Sequence, residues 1–166
     1  MPTQETINAV DQGLQLPLME AFYTLQGEGY HKGSAAYFIR IGGCDVGCHW
    51  CDVKESWNAD LHPPTAITKI VQEAQKYSNT VVVTGGEPLM WNLDYLCECL
   101  KNMNISVHLE TSGAYKLSGE YDWICLSPKK TLTPLREIQE IANELKVIIS
   151  NKNDFKWAIN QKKEVD

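Results

Sequence analysis

The stretch TVVVTGGEP, residues 80–88, decides the fold of this chain. Its first half is an apolar, β-branched run of about the length of one strand. This pattern is typical of a strand buried on both faces of a parallel sheet. The glycines and the proline that follow end the strand, because proline cannot continue a ladder of backbone hydrogen bonds. The stretch therefore predicts a central strand with further strands beside it and helices above and below.

The sequence on both sides fits that prediction. Residues 63–78 begin with Pro-Pro-Thr and continue with apolar residues at helical spacing, so we expect a helix there. On the other side, Asn92 is expected to cap a second helix. A third helix is expected over residues 133–145 and a final helical segment over residues 154–166. Helices are thus predicted before and after the central strand.

Five further strands are expected, at residues 19–24, 36–41, 105–111, 122–127 and 146–150. Strands that alternate with helices indicate right-handed βαβ units around a parallel sheet, either open or partly closed into a barrel. We therefore predict an α/β fold in a single domain spanning residues 1–166. Such a series usually ends on a strand, so the chain is expected either to be shortened at its C-terminus or to end on the last helix.

The composition of the chain argues against some classes of function. The formal net charge is −6 and no block of Lys and Arg is present apart from a mild cluster at the C-terminus, which argues against nucleic acid as a ligand. No apolar run is long enough to cross a membrane, and the first residues lack the pattern of an export signal. We therefore expect a cytoplasmic protein, in which cysteine thiols stay reduced. The four histidines show no spacing typical of a metal site.

Half of the six cysteines are crowded into the stretch RIGGCDVGCHWCD, residues 40–52. In a reducing compartment, Cys44, Cys48 and Cys51 are expected to bind a metal or do redox chemistry. Structural zinc requires four ligands, and no second cysteine pair with suitable spacing is present. A four-iron cluster held by three thiolates leaves one iron open to another ligand. From spacing alone, the iron–sulfur, zinc and redox-thiol alternatives all remain open.

Two motifs together carry a family resemblance. The cysteine spacing, with Trp50 directly before the last cysteine, and the Gly-Gly-Glu-Pro segment at residues 85–88 resemble the radical S-adenosylmethionine enzymes. The resemblance implies a partial, modified (β/α) barrel of that family's type. It also implies that Cys44, Cys48 and Cys51 hold a [4Fe–4S] cluster, whose open iron binds S-adenosylmethionine. The cofactor residues implied are Trp50, Asp52, Gly85, Gly86, Glu87, Ser127, Pro128 and Lys129, with Glu87 accepting from the ammonium group of the cofactor.

Four further segments resemble a narrower family, the synthases that make 7-carboxy-7-deazaguanine: FYTLQGEG, YFIRIGGC, HLETSG and LSPK. This resemblance implies a lyase of queuosine and deazapurine biosynthesis that converts 6-carboxy-5,6,7,8-tetrahydropterin with loss of ammonia. Arg40 suits the substrate carboxylate, because a guanidinium binds a carboxylate through two parallel hydrogen bonds. The substrate residues implied are Leu25, Gln26, Gly27, Glu28, Arg40 and Thr84. A homodimer and a one-electron donor such as flavodoxin are also implied.

The chain departs from that narrower family at two points. A threonine that binds magnesium is expected after Asp52, but Val53 has no side-chain oxygen for a hard cation, so magnesium is in doubt. A Gln-Pro segment expected after Ile149 is also missing, which agrees with a shortened chain. Two other functions stay open: an activase that makes a glycyl radical on a partner protein, and a zinc-stabilised binding module. Pterin-dependent turnover would distinguish the synthase from the activase. Bound iron and sulfide would exclude the zinc-stabilised module.

Overall fold

The central strand predicted from the sequence is β4, Thr80–Gly85, in the middle of a seven-stranded sheet. The computed structural model describes residues 4–165. The other strands are β1 Gln15–Leu25, β2 Ala35–Ile41, β3 Pro64–Ala66, β5 Ser106–Thr111, β6 Trp123–Leu126 and β7 Glu144–Leu145. The helices are α1 Gln4–Asp11, α2 Ile67–Ala74, α3 Asp94–Asn102, α4 Arg136–Ile141 and α5 Lys152–Lys162.

The strand order is β3-β1-β2-β4-β5-β6-β7. From β2 to β7 all neighbours are parallel, as the alternation of strands and helices predicts. The first hairpin is different, because β1 pairs antiparallel with both β2 and β3. The sheet stays open, with β3 and β7 at its two edges, and the fold is the α/β partial barrel that was expected.

The two faces of the sheet carry different side chains, because successive side chains along a strand point to opposite faces. In β4, Val81 and Val83 belong to the main apolar core with residues of α2 and α3. Val82 and Thr84 point the other way, toward the open interior of the partial barrel. The same alternation in β5 buries Leu109 in the core and turns Glu110 toward the interior. Polar side chains at the carboxyl ends of the strands therefore collect on the interior face.

The helix predicted over residues 63–78 is shorter than expected. Residues 64–66 form β3, which pairs antiparallel with residues 15–17 of β1, and α2 begins only at Ile67. Proline is tolerated at a sheet edge because no neighbour on the outer side needs its missing N–H. Asn92 lies near the start of α3, where its side chain accepts from the backbone N–H of Asp94 at 3.0 Å, but Leu93 occupies the cap position.

The predictions for residues 133–150 are partly wrong. Helix α4 ends at Ile141, and the strand predicted at residues 146–150 is replaced by the two-residue β7 just before it. Asn143 explains the early end of the helix, since its backbone N–H and side chain both bond the backbone of Ile124 in β6. The chain is thereby forced into the sheet earlier than its apolar pattern indicates. Helix α1 was not predicted.

The final helix, α5, overlaps the expected segment, residues 154–166, but begins two residues earlier, at Lys152. Asn151 and Asp154 form a reciprocal capping box at its start. None of the helices within residues 4–165 is long and apolar enough to cross a membrane. The predicted single domain spans residues 1–166, of which 1–3 and 166 lie outside the described residues.

Candidate active site

A cavity of about 570 Å³ opens at the carboxyl ends of the parallel strands. It brings together every site residue predicted from the sequence except one: Leu25, Gln26, Gly27, Glu28, Arg40, Cys44, Cys48, Trp50, Cys51, Asp52, Thr84, Gly85, Gly86, Glu87, Ser127 and Lys129. The exception, Pro128, is buried and lines a smaller neighbouring cavity that shares Cys48, Trp50 and Lys129 with the large one. Open α/β sheets bind ligands at this end of their strands.

The glycines of the TGGEP segment allow the cysteine loop to approach the end of β4. The backbone N–H of Gly86 donates to the carbonyl of Ile41 at 3.0 Å, and that of Glu87 donates to the carbonyl of Gly43 at 2.9 Å. A Cβ atom at Gly85 would lie 2.2 Å from the Ile41 oxygen, and one at Gly86 would lie 2.3 Å from the Gly43 oxygen. Both positions therefore need glycine to place the cysteine loop, before any cofactor binds.

The three clustered cysteines are free thiols in the wall of the large cavity. Burial raises the pKa of Cys44 and of Cys48, and nearby Lys129 partly offsets this for Cys48. Within residues 4–165, no three His, Cys, Asp or Glu side chains are grouped closely enough to hold one metal ion. Zinc takes all its ligands at one ion, whereas in a four-iron cluster each thiolate binds a different iron. Three thiols carried by one loop in the cavity wall fit the cluster, because each can bind a different iron.

The segment after β6 meets the cysteine loop from the other side. Lys129 lies over the ring of Trp50, 5.4 Å from the centroid, and donates to the hydroxyl of Ser127 at 2.6 Å. Burial lowers the pKa of Lys129, with the Cys48 thiol acting in the opposite direction. The Trp50 ring is 41% exposed, so it is neither a core residue nor fully solvated. It offers a flat apolar face to the cavity.

Glu87 is buried, with 1% of its surface exposed, and its carboxylate has four hydrogen-bond donors. One oxygen accepts from the backbone N–H of Leu89 at 3.1 Å and the hydroxyl of Thr111 at 2.6 Å. The other accepts from the backbone N–H and the hydroxyl of Ser112, at 2.8 and 2.5 Å. An ionised carboxylate has about four acceptor positions. The protein itself fills them, so Glu87 ties the end of β4 to the end of β5.

Two residues that sequence reasoning missed hold the start of the cysteine loop. The indole N–H of Trp91 donates to the carbonyl of Gly42 at 2.8 Å. The Tyr115 hydroxyl donates to the Asp45 carboxylate, and burial followed by that carboxylate raises the pKa of Tyr115 to about 12. These two contacts join residues that are 49 and 70 positions apart in the chain, and no local pattern marks Trp91 or Tyr115.

A polar network forms one side of the cavity. It consists of Gln26, Glu28, Thr84, Glu110 and Lys146, and we call it the carboxylate–lysine network. Glu110 is at its centre, accepting from Gln26 Nε2 at 3.0 Å and from the Thr84 hydroxyl at 3.3 Å. Lys146 Nζ lies 3.5 Å from Glu110 Oε2 and 3.2 Å from Glu28 Oε2. Glu110 and Lys146 were not predicted, although a charged residue within an apolar strand, as in HLETSG, was a usable sequence pattern for Glu110.

Arg40 also lines the cavity, beside Thr84, its register neighbour in β4, and its guanidinium is already paired with a protein carboxylate. Its Nε donates to Glu20 Oε1 at 2.7 Å. Glu20 engages Nε, so the terminal guanidinium nitrogens remain as donors for a carboxylate. The predicted contact of Arg40 with substrate stays a prediction.

A second cavity of about 280 Å³ lies behind the carboxylate–lysine network. It contains two histidines that the sequence did not connect, His31 and His108, whose ring centroids are 4.5 Å apart. Burial lowers the pKa of His108, and His31 adds to this effect. Tyr30, beside His31, stacks on Trp123 of β6. The loop after β1 thus reaches across the open side of the partial barrel to the far strands.

The open α/β sheet with a three-cysteine loop and a Gly-Gly-Glu-Pro turn defines a radical S-adenosylmethionine protein, and residues 38–117 match the radical SAM superfamily. The chain is 63% identical to a 7-carboxy-7-deazaguanine synthase of Flavobacterium psychrophilum over 166 residues, covering 100% of this chain and 79% of the relative. A synthase of the same name from Synechocystis is 54% identical over 143 residues, covering 86% and 69% of the two chains. The chain belongs to the 7-carboxy-7-deazaguanine synthase family.

The solved structures agree with this assignment. The crystal structure of QueE from Escherichia coli matches with a TM-score of 0.84 and 29% identity, covering 99% of this chain and 83% of that one. A curated 7-carboxy-7-deazaguanine synthase from Escherichia coli K12 is 33% identical over 168 residues, covering 86% of this chain and 75% of the relative. The partial barrel and the family name therefore come from independent comparisons of structure and sequence.

Proposed function

We propose that this protein is a radical S-adenosylmethionine lyase that converts 6-carboxy-5,6,7,8-tetrahydropterin to 7-carboxy-7-deazaguanine with loss of ammonia. The reaction belongs to queuosine and deazapurine biosynthesis. The observation that carries the proposal is 63% identity to a synthase of that name over the whole of this chain. The large cavity supports it, because three thiols and several hydrogen-bonding side chains line the same space of about 570 Å³, which is within the usual range for ligand pockets.

Cys44, Cys48 and Cys51 hold the [4Fe–4S] cluster in this proposal. Bound there, the cluster and S-adenosylmethionine supply one-electron cleavage of a carbon–sulfur bond and removal of a hydrogen atom from the substrate. The chain's own residues position the reactants. Trp50 packs against the adenosyl group, the turn at Gly85 and Gly86 receives the methionine ammonium, and Ser127 with Lys129 closes the side of the cofactor site.

The substrate lies between Arg40 and the carboxylate–lysine network. The terminal nitrogens of Arg40 take the substrate carboxylate. At the other end, the aminopyrimidinone edge presents two adjacent N–H donors, which suit a carboxylate, and the Glu110 carboxylate faces the cavity. Leu25, Gln26 and Gly27 bring the loop after β1 against the same edge, with the side chains of Gln26 and Thr84 fixing Glu110. The strand order supports this orientation of the substrate, because β4 lies between β2, which carries Arg40, and β5, which carries Glu110.

Several finer assignments remain part of this proposal. Asp52 and Val53 both line the cavity. A magnesium site in this proposal uses Asp52, a backbone carbonyl, the substrate and water, because Val53 has no hydroxyl. We infer a one-electron donor such as flavodoxin, a homodimer and a cytoplasmic location from the family resemblance. Analytical ultracentrifugation of the reconstituted protein measures the assembly state.

Anaerobic reconstitution with iron and sulfide tests the function. The protein is incubated with S-adenosylmethionine, dithionite and 6-carboxytetrahydropterin, and products are followed by mass spectrometry. We expect 5′-deoxyadenosine and pterin-dependent formation of 7-carboxy-7-deazaguanine. Formation of 5′-deoxyadenosine without conversion of the pterin contradicts the assigned substrate. The protein would then still be a radical S-adenosylmethionine enzyme, and the activase alternative would stay open. A colourless protein that retains zinc and no sulfide contradicts the class itself.

A further inference from the structure

Lys146 follows β7 directly and reaches into both cavities. Its side chain is 23% exposed, and its ammonium lies between Glu28 Oε2 at 3.2 Å and Glu110 Oε2 at 3.5 Å. Burial alone lowers the pKa of Lys146, but the facing carboxylates, Glu110 first, outweigh it and raise that pKa above its ordinary value. The side chain is therefore a permanent cation at neutral pH, held in place from two sides.

An ammonium group has three N–H donors. The ammonium of Lys146 is ion-paired with two carboxylate oxygens, Glu28 Oε2 and Glu110 Oε2, which leaves at least one N–H for a molecule in the cavity that Lys146 lines. Each oxygen of Glu110 accepts a hydrogen bond from one side chain, Gln26 or Thr84, so each keeps an acceptor position. The pair thus presents a donor beside acceptors to a molecule in the cavity.

The aminopyrimidinone edge of the proposed substrate has the matching pattern. It carries a ring carbonyl, which accepts, beside a ring N–H and an amino group, which donate. We propose that Lys146 is a specificity residue that donates its third N–H to the ring carbonyl of the pterin while Glu110 accepts from the adjacent N–H groups. This inference rests on the proposed function and adds how the enzyme selects a 4-oxo ring. A ring with an amino group in place of the carbonyl would set a donor against a donor, which such sites reject strongly.

Two unreactive probes that differ at that one position test the inference: 6-carboxypterin, which has the carbonyl, and 2,4-diaminopteridine-6-carboxylic acid, which has an amino group there. Their dissociation constants are measured with the reconstituted protein in the presence of S-adenosylmethionine. We expect the wild type to prefer the carbonyl probe by at least about tenfold, the factor that corresponds to about 1.4 kcal/mol. Lys146→Met should reduce that preference to less than about threefold, and Lys146→Arg, which keeps donors, should retain part of it.

Lys101 provides a matched control. It too lies between two carboxylates, Glu120 and Asp122, at 3.3 Å each, and its side chain is 27% exposed, but it lies outside the large cavity. Lys101→Met should leave the preference unchanged. Thermal unfolding of the cluster-free variants identifies a general loss of folding. If Lys146→Met does not fold, Lys146→Gln, which removes the charge and keeps an amide, is measured in the same way.

The outcomes separate the inference from the function. If the wild type converts the pterin and prefers the carbonyl probe, but Lys146→Met keeps that preference, the role of Lys146 is refuted and the function stands. An equal loss in Lys101→Met also refutes it, because the effect would then be unspecific. If the wild type binds neither probe and makes no deazapurine, the proposed function is refuted, and the inference, which rests on it, is refuted as well.

Discussion

Replacing Glu87 with glutamine should destabilise the protein even before any cofactor binds. Each carboxylate oxygen of Glu87 accepts from two donors, four in all. Glutamine replaces one oxygen with an NH₂ group, so in either orientation one backbone N–H loses its acceptor and faces a donor, while the hydroxyl beside it can turn to accept from the amide. Hydrogen bonds to charged groups contribute about 1.5–3 kcal/mol each. Two hydrogen bonds to a charged group are lost and one buried N–H is left unsatisfied, so the change should cost about 3 kcal/mol.

The assay is thermal unfolding of the cluster-free protein, followed by circular dichroism. For a chain of this size 1 kcal/mol corresponds to a shift of roughly 2–4 °C in Tm, so we expect Tm to fall by roughly 6–12 °C. Thr111→Val removes one of the four donors and should lower Tm by about half as much. The control is Glu73→Gln, which changes an exposed carboxylate paired with Lys76 at 2.5 Å. Exposed pairs contribute little, so Tm should stay within about 2 °C of wild type.

The same variants show how Glu87 serves the cofactor. If it acts by fixing the end of β4, Thr111→Val should also weaken binding of S-adenosylmethionine to the cluster-loaded protein, although Thr111 is not assigned to the cofactor. A Glu87→Gln variant with unchanged Tm and a large loss of cofactor affinity would refute this reasoning. That result would instead mean that the carboxylate contacts the ammonium group directly, as the sequence motif first indicated.

Two further predictions concern the loop and the last helix. Gly86→Ala should fail to load a full cluster, measured as iron per protein, because its Cβ would lie 2.3 Å from the Gly43 oxygen, whereas alanine at open Gly27 should load normally. At the start of α5, a hydrogen bond from Lys130, with two more from backbone N–H groups, lowers the pKa of Asp154 to about 2. The ionised carboxylate therefore stabilises the folded protein above a pH of about 4, and this contribution is lost as pH falls toward 2. Tm of the wild type should decrease more steeply over that range than Tm of Asp154→Asn, and parallel curves would contradict the assignment.

The sequence predicted much of the site because its motifs lie next to strand ends. The run at residues 80–88 indicated both a buried strand and a turn, and the cysteine loop follows β2 directly. In a parallel sheet the carboxyl ends of all strands meet at one edge. Segments that end the parallel strands are therefore brought together by the fold class alone. Residues 25–28 follow β1, which is antiparallel to β2, so the fold class does not by itself explain why they line the same cavity.

Sequence patterns failed where a long-range contact overrode a local preference. The apolar residues 146–150 indicate a strand. In the structure the side chain of Asn143 accepts a hydrogen bond from Ile124 of β6, and β7 begins directly after it, so Lys146 lies beyond the end of the strand. Residues 64–66 lie at the start of a segment with a helical pattern, yet they form the edge strand of the sheet beside β1. In both places, hydrogen bonds to a strand distant in sequence outweigh helix or strand propensity.

By itself, the sequence determined the class of protein: the alternation of strands and helices, the three thiols on one loop and the glycine turn that accommodates that loop. Only the tertiary structure decided which partners these groups have. In the folded protein the Glu87 carboxylate accepts hydrogen bonds from Thr111 and Ser112, and the Lys146 ammonium lies between Glu28 and Glu110. The physical reason is distance along the chain. Local propensities act within one element, whereas a hydrogen bond or an ion pair between the ends of different strands exists only once the sheet has assembled.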